Sequence, residues 1–414
     1  MSELQPVRGT HDLLPEEMRR HRRVSDTARR AAECFGYQEV ETPIFEFSEV
    51  FKRTLGDTSD IVTKEMYTFT DRGGETITLR PENTAGVARA LISGGLTQHL
   101  PLKYFYSGPM FRYERPQKGR LRQFHQTGVE LLGVKEAAGD VEVIAIGVEF
   151  LRRIGAWDRC VLEINTLGDT ESRHAYRKVL VEYLGGFRDR LSKESQERLE
   201  RNPLRILDSK DSGDQRIVAE APIYTDYLNE RSRGFFAEVQ AGLAALGIAA
   251  VVNPRLVRGL DYYCHTCFEI TCAELGAQKT VLAGGRYDGL VSMMGGPETP
   301  GVGWASGIER CAMLLQDTPR GARPILMVPL GEQAERAALT LSGDLRRRDF
   351  VVDLGFGGNM SKRMKRANKI DAVAAVILGD DELAKGVATV KSLDSGEQRQ
   401  VAIDGLAVAL EAFR

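Results

Sequence analysis

The sequence predicts a mixed α/β protein whose larger part is α+β: a mostly antiparallel sheet flanked by helices, followed by a small α/β domain. Three observations predict this. Leu102 to Met110 and Gln126 to Leu132 are largely apolar, strand-like runs joined by a short basic segment, which makes a long hairpin with half-buried stems. Further strand-like runs at Met66 to Thr70 and Thr76 to Leu79 come without the regular intervening helices of βαβ units. Only near the C-terminus does strand alternate with helix.

Taken in order, the first element is a helix starting at Pro15-Glu16-Glu17, with proline and acidic residues in its first turn. Val24, Ala28, Ala31, Ala32 and Phe35 give it one apolar stripe. Arg19, Arg20, Arg22, Arg23, Arg29 and Arg30 occupy its other faces and read as a solvated surface. Gly36 to Pro43 is a helix end followed by a strand. Arg80-Pro81-Glu82-Asn83-Thr84-Ala85-Gly86 ends a strand and opens a helix, so Glu82 lies where a strand meets a cleft; the plain reading of Glu82 is a first-turn helix carboxylate. From about Thr170 to Val251 helical periodicity takes over, with a charged stretch at Arg188 to Arg201 and an alanine-rich helix around Phe235 to Leu246. Gln316 to Arg323 is a polar linker. After it, Ile325 to Pro329, Phe350 to Leu354 and Val373 to Leu378 read as strands, and Gln333 to Arg347 and Met360 to Lys369 as helices. The expected division is residues 1–169 with 252–318, an insertion at 170–251, and 323–414. The helix Ser361 to Lys369 carries five cations and no acid, where a solvated helix usually mixes signs.

With 414 residues, 42% hydrophobic and 28% charged, the chain has the bulk character of a soluble globular protein of two or three domains. No apolar run approaches the ~20 residues that span a bilayer, and Met1 to Pro6 lacks the apolar core of a signal peptide, so a cytoplasmic location is expected. The formal charge of −2 means that any nucleic acid must be met by local patches. Six scattered cysteines suit reduced thiols. Cys264-His265-Thr266-Cys267 has the spacing of a metal pair, but Tyr262 to Ile270 reads as a strand, and residues three apart on a strand face opposite sides. A phosphate-binding Gly-x-x-x-x-Gly-Lys-Ser/Thr loop is absent from the sequence, which disfavours the P-loop fold.

The hairpin tip, Phe111 to Gln126, is the most informative segment. Four arginines, Lys118, Pro116 and Gly119 lie between Arg112 and Arg122. An arginine fork suits polyphosphate, and Phe124 is placed to stack on a base. Gln126 and Glu130 follow at the same strand parity.

Phe-Arg-x-Glu, a loop, then an aromatic with Gln-x-x-Gly-x-Glu resembles the second signature motif of class II aminoacyl-tRNA synthetases. Gly303-Trp304-Ala305-Ser306-Gly307-Ile308-Glu309-Arg310 is similar to the third motif, and Gly36 to Pro43 to the first. Leu256-Val257-Arg258-Gly259-Leu260-Asp261-Tyr262-Tyr263 and Ala283-Gly284-Gly285-Arg286-Tyr287-Asp288-Gly289-Leu290 resemble the two signatures of the histidyl-tRNA synthetase family. Five motifs stand in the right order between Arg8 and the C-terminus.

The resemblance implies a class II catalytic domain, a helical insertion and a C-terminal anticodon-binding domain. It implies activation of L-histidine with ATP to histidyl-adenylate and pyrophosphate, then transfer to the 3′ end of tRNA(His). Arg112 and Arg258 are the implied catalytic residues on the α-phosphate, Gly259 leaving room beside Arg258. Glu114, Arg120, Phe124 and Arg310 would complete the ATP site. Glu82, Thr84 and Gln126 would accept from the α-ammonium; Glu130 and Tyr263, with Tyr262 and Tyr287, would hold the imidazole. On a regular strand one of Tyr262 and Tyr263 must point away, which makes Tyr262 mostly structural. Arg115 and Gln117 would meet the tRNA acceptor end. ATP is a substrate with Mg2+ carried by the nucleotide, and no tightly bound protein metal is expected. A homodimer is implied, with the first helix and the strand to Pro43 in its interface.

Three other readings compete. A histidine-binding regulatory paralogue of histidine biosynthesis would share the catalytic fold but lack the C-terminal domain and need not keep the phosphate arginines. A synthetase for proline, glycine or threonine is opposed by Glu130 and the Arg258 to Tyr263 segment. A plain RNA-binding protein would not need the cleft residues.

Overall fold

The computed structural model describes residues 3–55, 61–257 and 262–414, in two compact units, Met1–Pro319 and Arg320–Arg414. Helix α1 (Pro15–Glu33) begins at the expected proline, and Val24, Ala28, Ala31 and Ala32 are fully buried. Its arginines do not all face water. Arg19 donates to the Pro319 carbonyl at 2.9 Å, and Arg20 to Thr318 Oγ1 at 2.7 Å and to the carbonyls of Ala312 and Leu315. The expected solvated face therefore needs correcting: carbonyls at the end of the helix Ile308–Leu314 recruit Arg20, and a carbonyl of the segment after it recruits Arg19.

Strands β1 (Gln38–Glu39) and β2 (Phe45–Phe47) follow, then α2 (Ser48–Leu55), β3 (Tyr67–Thr70), β4 (Thr76–Leu79) and α3 (Thr84–Ser93). The strands β2, β3 and β4 form their own antiparallel sheet, in the order β2-β4-β3. The sequence pattern assigns the runs of β3 and β4 to the main sheet and does not mark β2. They separate because β3 and β4 close on each other locally: Asp71 Oδ1 accepts from the N–H groups of Gly73 and Glu75 in the turn.

Next come β5 (Leu102–Phe111), β6 (Gln123–Leu132), α4 (Ala137–Arg153) and β7 (Cys160–Thr166). Four helices intervene: α5 (Thr170–Gly185), α6 (Lys193–Arg201), α7 (Ser212–Ala219) and α8 (Glu230–Ala245). The chain then returns through β8 (Val251–Val252), β9 (Cys264–Cys272), β10 (Thr280–Arg286), α9 (Leu290–Met293), β11 (Gly301–Gly307) and α10 (Ile308–Leu314). The main sheet runs β1-β5-β6-β11-β10-β9-β7-β8, antiparallel except for the outer pairs β1-β5 and β7-β8.

The hairpin of β5 and β6 is paired throughout, from Leu102 opposite Leu132 to Phe111 opposite Gln123. Alternation sorts its residues. Val129 and Leu131 enter one core with α1, α4 and Trp304, whose indole N–H donates to the Val143 carbonyl at 2.9 Å. Phe124 and Leu132 join the opposite core, and Gln126 and Glu130 share their parity. Tyr176, Leu180, Ile206 and Leu207 from the helical segment pack into that same core beside Tyr262 and Tyr263.

The second unit is a mixed sheet, β13 (Val352–Leu354) and β14 (Ala374–Gly379) parallel to a central β12 (Ile325–Leu330), with helices α11 (Glu332–Arg347) and α12 (Met360–Lys369). The strand–helix alternation of the sequence marks these elements and none after β14. The structure adds an antiparallel hairpin, β15 (Val387–Ser392) and β16 (Gln398–Ala402), in the order β13-β12-β14-β15-β16. Two of the five cations of α12 are engaged within the unit: Arg363 is buried against Glu335 and the Pro329 carbonyl, and Arg366 pairs with Asp353. Lys362, Lys365 and Lys369 remain exposed on one helical face. No helix among the described residues is long and apolar enough to cross a membrane.

Candidate active site

A cavity of about 300 Å3 lies on the Phe124–Gln126 side of β6. Glu82, Thr84, Arg112, Glu114, Arg120, Phe124, Gln126, Tyr262, Tyr263 and Arg310 all line it, so the structure gathers ten of the sequence-predicted residues at one place. Arg258, with Gly259, Leu260 and Asp261, lies outside the described residues.

One end of the cavity is cationic. Arg112 is anchored by its Nε on the Pro81 carbonyl at 2.9 Å, and its guanidinium lies 5.3 Å from the Phe124 ring centre. Arg120 pairs with the buried Glu114 carboxylate. Arg310, from α10, donates to the Gly119 carbonyl at 3.0 Å and the Thr280 carbonyl at 2.9 Å. Burial, then repulsion from Arg120 and Arg112, pulls Arg310 below the ordinary arginine value. Three cations held this close are stabilised by an anion between them.

The other end offers acceptors and phenols. Glu82 is buried and accepts the N–H groups of Thr84 at 2.7 Å and Ala85 at 3.0 Å, so it caps α3 while facing the cavity. Burial pushes its carboxyl up, and those two N–H bonds and the Arg112 charge oppose the rise. Gln126 Oε1 is buried and accepts no hydrogen bond from the described residues. An unpaired buried acceptor costs about 1–3 kcal/mol, and this one stands in a cavity where a ligand N–H can meet it. Tyr262 and Tyr263 both line the cavity, their ring centres 4.6 Å apart. This corrects the expectation that one must point away. Strand β9 begins only at Cys264, so strand alternation does not govern the pair.

Glu130 and Tyr287 are placed one layer deeper. Neither lines the cavity; Glu130 is wholly inaccessible. Thr84 Oγ1 donates to Glu130 Oε1 at 2.6 Å and the Tyr287 hydroxyl donates to Oε2. Burial pushes the Glu130 carboxyl up to about 8, against the pull of those two bonds. Two glycines make this packing possible. A Cβ at Gly303 would collide with the Glu130 carboxylate, and one at Gly285 would stand 2.9 Å from the Tyr263 ring. Arg286 fixes the approach of Tyr287. It is fully buried, pairs with the equally buried Asp140, bonds Asp288 at 3.1 Å and donates to the Val134 carbonyl at 2.9 Å.

Arg115 and Gln117 are exposed on the hairpin tip, outside the cavity, where the backbones of Gln117 and Arg120 pair. Among the described residues, Cys264 and Cys267 do not gather with other metal-ligating groups. Among the described residues the group with metal-ligand chemistry is His21, His125 and Glu309, with ligating atoms within 4.8 Å of one another. Glu309 is already engaged there: the backbone N–H of His125 donates to it at 2.8 Å and His125 Nδ1 lies 2.9 Å away. That clamp fixes β6 against α10.

Sequence reasoning did not single out Lys210, Gln278, Thr280 or Glu309, which also line the cavity. Glu309 sits inside the third motif beside Arg310, a spacing that was available as a signal. Lys210 lies in the helical segment, and no sequence pattern ties it to the cavity.

Residues 9–311 match the family model described as histidyl-tRNA synthetase. The chain belongs to the histidyl-tRNA synthetase family. Residues 325–412 match the anticodon binding domain model. Among curated members, a histidine–tRNA ligase of Rhodospirillum rubrum is 62% identical over 414 residues, covering 100% of this chain and 99% of the relative. Another, of Gluconacetobacter diazotrophicus, is 56% identical and covers 98% of each. Among solved histidyl-tRNA synthetases, the apo structure from S. aureus aligns with a TM-score of 0.84 at 33% identity, covering 98% of this chain and 99% of that one.

Proposed function

We propose that the chain is a histidine–tRNA ligase that works in two steps. The carboxylate of L-histidine attacks the α-phosphorus of ATP; a carboxyl–phosphate bond forms, the bond to the β-phosphate bridging oxygen breaks, and pyrophosphate leaves. The terminal ribose hydroxyl of tRNA(His) then attacks the histidyl carbonyl, and AMP leaves. The observation that carries this reading is one cavity with an arginine end for phosphate and an acceptor-and-phenol end for an amino acid. Both reactants are anions, so the protein's work is to position them and offset charge.

In this reading Arg112 meets the α-phosphate, Arg120 and Arg310 the outer phosphates and adenine region, and Phe124 stacks on the adenine. Arg258 is the second α-phosphate arginine by its motif. Glu114 holds Arg120 in place. The nucleotide brings its own Mg2+. Glu82, Thr84 and the unpaired Gln126 Oε1 accept from the α-ammonium. Tyr263 offers its phenol to the imidazole, with Tyr262 packed beside it. Glu130 and Tyr287 act from behind Thr84, setting the charge beneath the ring. Arg115 and Gln117 meet the acceptor end, and Lys362, Lys365 and Lys369 the RNA backbone. The enzyme is read as cytoplasmic, with the catalytic parts at 1–169 and 252–318, an insertion at 170–251 and the anticodon-binding domain at 323–414. A homodimer through α1 and the strand to Pro43 belongs to the same reading.

The regulatory paralogue is not favoured, because the ligase relatives extend through the C-terminal unit. The test is charging: the purified chain, ATP and a tRNA pool should yield acid-precipitable labelled histidine. Charging with another amino acid instead, or none at all, contradicts the reading.

A further inference from the structure

Among the described residues, Lys210 is the one residue of the helical segment 170–251 that lines the cavity. Its neighbours hold it there. Ser209 Oγ donates to Asp214 Oδ2 at 2.7 Å, and Asp211 Oδ1 accepts from the N–H groups of Gly213 at 2.7 Å and Asp214 at 3.0 Å. Asp214 is wholly buried and also takes the Ser192 N–H and the Ser195 hydroxyl. The backbone on both sides of Lys210 is therefore pinned, while its side chain is exposed.

The other cations of the cavity described above are tied to protein acceptors: Arg112 to the Pro81 carbonyl, Arg120 to Glu114, Arg310 to the Gly119 and Thr280 carbonyls. Lys210 has no hydrogen bond or ion pair among the described residues. The carboxylates lining the cavity are engaged already: Glu82 with the start of α3, Glu114 with Arg120, Glu309 with His125. Nor does local stability account for a cation here. It stands just before α7, and a positive charge at a helix N-terminus is unfavourable.

We infer that Lys210 is a substrate-binding residue whose ammonium pairs with a phosphate oxygen of a substrate in the cavity. The helical segment thereby supplies a charge that the sheet does not. This rests on the ligase reading, which brings phosphate from two sources: ATP and the 3′-terminal phosphodiester of tRNA.

The test uses the full chain and its Lys210→Ala, Lys210→Gln and Lys210→Arg variants, in two arms. One arm is histidine-dependent pyrophosphate exchange against ATP concentration. The other is single-turnover transfer from preformed enzyme-bound adenylate to tRNA. Alanine and glutamine should lose roughly tenfold or more in at least one arm, the loss should shrink with added salt, and arginine should recover most of it. Loss in exchange assigns ATP as the source; loss confined to transfer assigns the RNA. Alanine within twofold of the parent in both arms at low salt overturns the inference, as does arginine performing no better than alanine. A parent chain without histidine-dependent exchange defeats the ligase reading instead; equilibrium binding of ATP and of RNA to parent and Lys210→Ala then still decides the role of Lys210.

Discussion

Thr84 Oγ1 donates a 2.6 Å hydrogen bond to Glu130 Oε1, joining a residue that faces the cavity to one that is sealed behind it. Two donors, Thr84 and Tyr287, converge on that carboxylate. Glu130→Gln keeps the shape but turns an amide NH2 toward one of these donors. Mispairing there should raise the KM for histidine roughly tenfold or more while leaving the KM for ATP near the parent value. Steady-state pyrophosphate exchange measures both. An unchanged histidine KM contradicts the role given to Glu130.

The same residue sets a pH dependence. Its carboxyl is raised from the ordinary glutamate value of 4.5 to about 8, first by burial, so the free folded chain holds a proton that the unfolded chain has lost. The stability this proton gives is present below 4.5 and is lost as pH rises toward 8. Glu130→Gln cannot titrate. Thermal midpoints of the parent should therefore fall relative to the variant between about pH 5 and pH 8 without ligands. Parallel curves contradict the assignment.

Asp140 and Arg286 form a fully buried ion pair behind Tyr287. Asp140→Ala leaves the buried guanidinium without this carboxylate. The loss should be about 3–5 kcal/mol by denaturant unfolding. A change below about 1 kcal/mol shows that the remaining bonds of Arg286 to Asp288 and the Val134 carbonyl suffice.

The chain passes from the first compact unit to the second after Pro319. Every residue assigned to the cavity precedes that point, and the exposed lysines of α12 follow it. Ending the chain at Pro319 should leave histidine activation within a few-fold of the parent and cripple tRNA charging. Paired exchange and charging assays on one preparation measure this. Equal loss in both would show that the C-terminal unit supports the catalytic fold.

Much of this arrangement was legible in the sequence where local pattern dictates structure. The alternation along Gln126 to Leu132 placed Gln126 and Glu130 on one face, of which only Gln126 lines the cavity, and the strand-to-helix junction at Arg80 to Gly86 placed Glu82 there. Tertiary context decided the rest. Arg19 and Arg20 look solvated on α1 until residues 312–319 bring unsatisfied carbonyls to them. Tyr262 looks turned away from the cavity by strand parity until the strand is seen to begin two residues later. Arg363 and Arg366 add to the basic count of α12, but Glu335 and Asp353, distant in sequence, absorb their charge. Lys210 reaches the cavity only because the helical segment folds back onto the core of Tyr262 and Tyr263, which no spacing reveals.

Amino-acid-dependent pyrophosphate exchange by the full chain, run in parallel with each of the standard amino acids, decides whether the cavity activates histidine. Exchange should require ATP and L-histidine, with the other amino acids at background. Exchange driven by a different amino acid would mean that the pocket of Thr84, Glu130 and Tyr263 is misread. No exchange with any of them, from folded protein that still binds histidine, would mean that the chain senses histidine without activating it.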